Sequence, residues 1–130
     1  MSPSTVGHPL PLTPLQGEIL LHTLGAPGTG VHIHQIRGNL DPALESGLLE
    51  AWARAIQRHP SLRSRFVWER EGEPVRVVEA EAGFPWHEHD WRGLSQADAQ
   101  EGLEELLSAI RTEGFDAGRA PLHRLDLIHL

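Results

Sequence analysis

Histidine is the residue type in this sequence best suited to proton transfer and metal binding, and the chain holds nine of them. His32 and His34 lie two positions apart in a segment rich in β-branched residues, so a strand there would place both imidazoles on one face. Such a pair could supply two ligands to a metal ion, but no third ligand follows nearby. His87 and His89 stand beside acidic neighbours in a second dense group. We expect no native metal site, and only fortuitous binding of purification metals at the second group.

Nucleophilic catalysis finds no support among the residue types. The chain has no cysteine, which excludes disulfides, thiolate nucleophiles and cysteine-based zinc or iron–sulfur sites. No Gly-x-Ser-x-Gly segment is present, so the serine elbow of a hydrolase is missing as well. The glycines from Gly25 to Gly30 are followed by neither a lysine nor a predicted helix, unlike a phosphate-binding loop. The residue types alone therefore point to no catalytic group.

Charge and hydropathy exclude two classes of partner. Eleven basic residues, all arginine, stand against 18 acidic ones, for a net charge of -7 with histidine neutral, which leaves no basic surface for a phosphate backbone. The apolar runs are far shorter than the roughly 20 residues needed to cross a bilayer. The first residues, rich in proline, lack the apolar stretch of a signal peptide. We expect a cytoplasmic protein that binds neither nucleic acid nor membrane.

Three segments carry the caps and the apolar spacing of helices. Thr13-Pro14 and Asp41-Pro42 each offer an N-cap followed by a proline in the first turn, and Ser95 opens a capping-box pattern. Apolar residues then recur at intervals of three and four, most clearly after Asp41-Pro42. These signals predict helices near 14–24, 42–58 and 96–113.

Four further segments have the composition of strands. They cover residues 31–37, 65–69, 75–79 and 122–130, and the turn at Glu71-Gly72-Glu73 predicts that the second and third form a hairpin. We expect mostly irregular chain over 83–93. The order of elements is typical of an α/β domain, which we assign to residues 12–130 after an extended leader over 1–11.

Four segments, taken in order, resemble the condensation domains of nonribosomal peptide synthetases. The segment from Pro11 to His22 is similar to the first core motif of that family, and Arg58-His59-Pro60-Ser61-Leu62-Arg63-Ser64-Arg65-Phe66 is similar to the second, which is the most specific match. Asp90 to Ser95 resembles the segment before the third helix. Gly114 to Leu125 resembles the approach to the strand before the active site. The resemblance covers the chain from about residue 11 to its last residue.

The resemblance implies a fold and a reaction. The fold would be the N-terminal lobe of a chloramphenicol-acetyltransferase-like domain, a two-layer α/β sandwich in which a mixed sheet is packed by the three helices. The complete domain of the family joins an acyl or peptidyl thioester on one carrier protein to an aminoacyl thioester on another, forming an amide. Its His-His-x-x-x-Asp-Gly motif is missing here, because no two histidines are adjacent. We therefore expect a domain truncated before that motif, with no catalytic residue and no activity alone.

Two residues of the second motif are implied to support the active site structurally. Arg63 matches the arginine that is thought to hold the aspartate of the histidine motif. Because that aspartate is absent, Arg63 could be exposed, paired with a local acid, or left for a partner to engage. His59 precedes Pro60 at a helix end, where an imidazole can cap the last carbonyl groups.

The resemblance also implies partners. The first helix matches the region where family members meet a peptidyl or acyl carrier protein, so Gln16, Glu18 and His22 are candidate contacts. The chain would bind no cofactor directly, since phosphopantetheine belongs to the carrier protein. The last strand would lie inside a larger sheet, which predicts an apolar edge for the missing C-terminal lobe or for another copy of the chain. A non-catalytic docking module that binds a carrier protein or a tailoring enzyme is the alternative function.

Overall fold

The structure is a computed structural model that describes residues 7–69, 71–83 and 85–130. Its helices are α1 (Pro14–Gly25), α2 (Glu45–Arg58) and α3 (Gln96–Glu113). Its strands are β1 (Leu10–Pro11), β2 (Ser64–Val67), β3 (Val75–Val78), β4 (Trp86–Asp90) and β5 (Leu125–His129). Short 3-10 turns at Pro42–Leu44 and Pro60–Arg63 flank α2. Residues 1–6, more than half of the expected leader, lie outside the described residues.

All three helices form where the sequence predicts them, and their caps explain the boundaries. Thr13 and Gln16 make a reciprocal capping box, with the Thr13 amide 3.0 Å from Gln16 Oε1 and the Gln16 amide 3.2 Å from Thr13 Oγ1. Asp41 Oδ1 accepts from the Ala43 amide at 2.9 Å, and Ser95 Oγ accepts from the Asp98 amide at 3.1 Å. Each cap satisfies a backbone donor that has no partner inside the helix.

The first sheet is antiparallel, with strand order β1-β3-β2. β2 and β3 form the predicted hairpin, in which Phe66 lies opposite Arg76. β1 pairs with the other edge of β3, and the Gly7 amide donates to the Val78 carbonyl at 3.2 Å. A Cβ atom on Gly7 would lie 2.3 Å from that carbonyl oxygen, so only glycine permits this approach. The end of the expected leader is thus attached to the sheet.

The second sheet consists of β4 and β5 in parallel, with Trp86 opposite Leu125 and Asp90 opposite His129. The prediction of irregular chain over 83–93 is therefore wrong at Trp86–Asp90. This strand has a polar sequence without β-branched residues, and it is specified by pairing with a distant segment, which strand propensity does not report. The closing strand, predicted over 122–130, is shorter than expected and spans Leu125–His129.

The strand predicted over 31–37 is also wrong. Gly30 and His32 have positive φ angles of 72° and 62°, which turn the chain at the start of the segment. Its side chains instead bind α3: Gln35 Nε2 donates to the Leu107 carbonyl at 2.9 Å, and Arg37 Nη1 lies 3.2 Å from Glu104 Oε1. No strand of the described chain pairs with the segment, so its β-branched residues form no ladder.

The core is small and draws its buried side chains from all three helices and from the first sheet. Leu20, Ile56, Val77 and Ile110 are buried, and they come from α1, α2, β3 and α3 respectively. On α2, Trp52 makes an edge contact with His123, just before β5, with ring centroids 5.8 Å apart. The α/β class is confirmed, because the described chain contains three α-helices together with an antiparallel and a parallel sheet. No helix in the described part is both long enough and apolar enough to cross a membrane.

Candidate functional site

Arg63 lies in the turn between α2 and β2, and its guanidinium binds backbone carbonyls. Nε donates to the Glu79 carbonyl at 3.0 Å, and Nη1 donates to the Ile56 carbonyl at 2.7 Å and to the Gln57 carbonyl. Ile56 and Gln57 belong to the last turn of α2, where carbonyl groups lack partners inside the helix. Arg63 is half-buried. It is therefore neither freely solvated nor paired with an acid: it caps α2 and ties the helix to the end of β3.

The neighbouring residues strengthen the same junction. Ser64 is buried, and its hydroxyl donates to the Pro60 carbonyl at 3.0 Å. Arg65 Nε forms an ion pair with Glu79, whose backbone carbonyl is already held by Arg63. The Phe66 amide donates to the Ala117 carbonyl at 2.8 Å, which fixes β2 to the segment after α3. The second motif thus forms a connected set of contacts between α2, β2 and β3.

His59 is the C-cap residue of α2, but the hydrogen bond of the cap comes from its backbone amide and not from its imidazole. The His59 amide donates to the Ala55 carbonyl at 2.9 Å, while the residue itself is exposed. It lines a shallow cavity of about 360 Å³ along the outer face of α2, together with Arg54 and Arg58. The expected role of the imidazole in supporting an active site stays a prediction.

The three candidate carrier contacts on α1 have different environments. Gln16 is half-buried and is already used by the capping box with Thr13. Glu18 and His22 are exposed, and the His22 ring stacks on His32 with centroids 5.8 Å apart. Leu21, on the same helix, is 71% exposed, which sequence reasoning did not single out. The exposed surface of α1 therefore presents a carboxylate, an imidazole and an apolar side chain to solvent.

An apolar groove adjoins this surface. It has a volume of about 390 Å³ and lies between the start of α1 and the β1–β3 pairing, with Leu12, Leu21, Pro74 and Val75 among its lining residues. The only charged side chain in its lining is Glu73. Leu21 lines the groove and is also exposed, so the groove is open to solvent beside Leu21.

A polar network that the sequence did not predict joins β4 to β5. Asp126 accepts two hydrogen bonds from Arg124, at 2.8 and 2.7 Å, and its Oδ1 lies 2.9 Å from His89 Nε2. Glu113, at the end of α3, lies 3.3 Å from the other terminal nitrogen of Arg124. Burial alone would raise the pKa of Asp126, but the hydrogen bonds from Arg124 and His89 outweigh it and lower that pKa. The available signal was the spacing Arg124-x-Asp126 inside the closing strand that the sequence predicts over 122–130.

Metal binding finds no site in the described chain. No group of three histidine, aspartate or glutamate residues there is arranged to hold an ion. His32 and His34 do not share a strand, because the chain turns at His32. His89 is engaged by Asp126, whereas the adjacent Glu88 lies 3.8 Å from His129.

Comparison with known proteins decides the family. The family model described as "Condensation domain" matches residues 6–130. The chain belongs to the condensation-domain family. A linear gramicidin synthase polypeptide of Brevibacillus parabrevis is 35% identical over 119 residues, and chondramide synthase of Chondromyces crocatus is 32% identical over 102 residues. These matches cover 92% and 78% of the chain but 2% of each relative, so the chain spans a small part of either synthase.

Solved structures show the same fold. The starter condensation domain of rhizomide synthetase has a TM-score of 0.68 at 22% identity, with 94% of this chain and 30% of that chain covered. The cyclization–docking bidomain EpoB of Sorangium cellulosum has a TM-score of 0.64 at 24% identity, covering 94% and 24% respectively. The expected chloramphenicol-acetyltransferase-like fold is thereby confirmed. This chain is a partial condensation domain, and it accounts for less than a third of the length of these solved chains.

Proposed function

We propose that this chain forms the N-terminal lobe of a condensation domain that makes amide bonds between thioesters held on carrier proteins. The observation that carries the proposal is the family match over residues 6–130, supported by a fold shared with a starter condensation domain. In the reaction, the amine of the aminoacyl thioester attacks the carbonyl carbon of the acyl thioester. The tetrahedral intermediate then collapses, forming the amide and releasing the donor thiol, while the amine loses a proton.

The lobe contributes shape to this reaction and no proton-handling group. No two histidines are adjacent in these 130 residues, so the histidine motif of the proposed reaction lies outside them. Arg63 keeps α2, β2 and β3 in a fixed relation by holding three carbonyl groups. Within the described contacts its Nη2 atom makes no hydrogen bond, and it is the nitrogen left to meet an aspartate. Since Nε and Nη1 are both engaged, Arg63 would bind such an aspartate through one nitrogen and not as a fork.

The carrier protein is proposed to dock on α1. Glu18 and His22 are exposed and free of the capping box that occupies Gln16, so they are the better contacts of the three. Leu21, exposed on the same helix, adds an apolar contact beside them. Phosphopantetheine would arrive covalently attached to the carrier protein as part of the substrate thioester, and we assign no residue of this chain to hold it.

A cytoplasmic location is part of the same proposal.

The amide-forming role can be tested by replacement. Residues 6–130 would replace the matched segment of a condensation domain in the linear gramicidin synthase polypeptide, and amide formation would be measured in single turnovers with loaded carrier domains. We expect product from the hybrid and none from the 130-residue chain alone. A variant of the hybrid that lacks the recipient's own motif histidine is the negative control. A folded hybrid that binds both loaded carriers but forms no amide would contradict the proposal.

A docking module without catalysis is the second candidate, and the exposed Leu21 beside an apolar groove favours it. NMR titration of the chain with a loaded carrier protein tests it. Chemical-shift changes centred on α1 would support carrier docking. The affinity for the carrier protein should then be about tenfold lower in a double variant with Glu18→Ala and His22→Ala. Arg54→Ala on α2 is the matched control, because that exposed side chain lies on another helix. Unchanged binding in the α1 double variant would remove this contact from both candidates.

A further inference from the structure

Two buried nitrogen atoms belong to side chains that contact each other, one on α2 and the other just before β5. Trp52 Nε1 and His123 Nε2 are both enclosed by the protein, and neither has a hydrogen-bond partner in the described chain. The two rings meet edge to face, with centroids 5.8 Å apart and planes inclined by 60°. Buried polar atoms in folded proteins almost always bond to protein or to ordered water. Two such atoms in one contact therefore point to a shared partner.

The chemistry of the two atoms limits what this partner is. An indole N–H only donates a hydrogen bond, whereas the unprotonated nitrogen of a neutral imidazole only accepts one. The partner must therefore accept from Trp52 and donate to His123. Two hydrogen bonds of about 2.9 Å through one atom span at most about 5.8 Å, which equals the separation of the ring centroids. A single water molecule meets both requirements.

The enclosure of both atoms excludes a larger partner. A side chain from elsewhere in a longer polypeptide could not reach either nitrogen without displacing α2 or the segment before β5. That segment is also attached to the first sheet, because the Phe66 amide donates to the Ala117 carbonyl. Burial lowers the pKa of His123, which keeps its imidazole neutral at neutral pH. A neutral ring is what an acceptor at Nε2 requires.

We propose that one water molecule is bound between Trp52 and His123, accepting from the indole N–H and donating to Nε2 of the imidazole. The proposal assigns the neutral tautomer of His123 that carries its proton on Nδ1. The water molecule joins α2 to the segment before β5 by polar contacts, in addition to the contact between the two rings. The site does not depend on the proposed amide formation, because it involves neither substrate nor carrier protein.

The test is NMR spectroscopy of the isotope-labelled 130-residue chain at neutral pH. Rotating-frame Overhauser spectra should show a dipolar cross-peak between the Trp52 indole proton and a water molecule, with the sign that separates a bound water from chemical exchange. The ring-nitrogen chemical shifts of His123 should show a protonated Nδ1 and an unprotonated Nε2. Trp68, which is 43% exposed, is the internal control, and its indole proton should show no long-lived water.

A variant gives a second measurement at the same site. Trp52→Phe removes the donor and keeps an aromatic ring, so the cross-peak between water and the carbon-bound ring protons beside His123 Nε2 should be lost. Trp68→Phe is the matched control and should leave that cross-peak unchanged. The proposal would be overturned by persistence of the cross-peak in a folded Trp52→Phe variant, or by an indole proton of Trp52 without any contact to water.

A scalar coupling across a direct hydrogen bond from Trp52 Nε1 to His123 Nε2 would also overturn the proposal, because it would leave no place for a bridging molecule. None of these results bears on the proposed condensation function, since the hybrid assay measures amide product.

Discussion

Arg63 Nη1 lies 2.7 Å from the carbonyl oxygen of Ile56, so a residue in the turn after α2 caps the helix that precedes it. The same guanidinium reaches the Glu79 carbonyl at the end of β3. Three elements therefore meet at one side chain, and the family's second motif acts here as a structural junction. Its contribution to the fold can be measured without any substrate.

Arg63→Ala should lower the free energy of unfolding by about 2–4 kcal/mol, because half-buried carbonyls lose charge-assisted hydrogen bonds. Arg63→Lys keeps the charge but not the planar set of donors. Its free energy of unfolding should therefore lie between those of the unaltered chain and Arg63→Ala. Urea unfolding followed by tryptophan fluorescence measures the difference. Arg54→Ala, which removes an exposed ion pair with Glu50, is the control and should cost about 0.5 kcal/mol. Equal effects of the two alanine variants would show that Arg63 is not a junction.

His123 should make stability depend on pH. Burial lowers the pKa of His123, and its Nε2 atom has no hydrogen-bond partner in the described chain. The unfolded state therefore binds a proton more readily than the folded state, so stability should fall as pH drops below about 6.5. The free energy of unfolding, measured between pH 5 and pH 8, tests this, because that interval spans the ordinary pKa of histidine. His123→Leu should flatten that decline, and an unchanged slope in this variant would exclude His123 as its source.

Asp126→Asn should destabilise the β4–β5 sheet by about 2–4 kcal/mol, because it leaves the largely buried Arg124 without its carboxylate. The lowered pKa of Asp126 adds a second expectation: this stabilisation should be lost as pH falls below the ordinary aspartate range. Thermal unfolding at neutral and acid pH measures both. Asp90→Asn is the matched control, since Asp90 also pairs with an arginine two residues away but on the exposed surface. Similar losses from both variants would mean that burial of the network is unimportant.

Gly30→Ala should destabilise the chain more than Gly28→Ala. Both glycines have positive φ angles, so both variants carry a backbone cost of about 1–2 kcal/mol. Only at residue 30 would the new Cβ lie 2.9 Å from Arg111 Cβ, where the loop contacts α3. Differential scanning calorimetry of the two variants gives the comparison. Identical melting temperatures would show that this contact is loose in solution.

The sequence was informative where structure is local. α2 could be predicted because Asp41, Pro42 and Pro60 mark its limits and its apolar residues recur at helical spacing. β4 could not, because the polar run from Trp86 to Asp90 becomes a strand only by pairing with β5, almost forty positions away. The opposite error occurred at residues 31–37, where strand-forming residues have no partner strand and Gln35 binds α3 instead.

In the candidate site, too, local features could be predicted from the sequence, whereas contacts that depend on tertiary packing could not. The second motif was recognisable from its residues, yet the partners of Arg63 are backbone carbonyl groups, which carry no sequence signature. The network around Asp126 was missed because it joins β4, β5 and α3, whose relative placement is a tertiary property. Gln16 forms the capping box that its Thr-x-x-Gln pattern fits, whereas its contact with a carrier protein stays a prediction.

In the proposed function, this lobe shapes a condensation site without supplying its proton-handling group. The most direct measurement is single-turnover amide formation by the gramicidin-synthase hybrid in which each of the lobe's nine histidines is changed, one at a time, to glutamine. We expect every folded variant to keep its rate within about tenfold of the hybrid, because general acid–base catalysis, worth roughly a hundredfold to ten-thousandfold, comes from residues outside the lobe. A folded variant whose rate falls about a thousandfold would instead place a catalytic histidine in this chain and contradict the proposed division of roles.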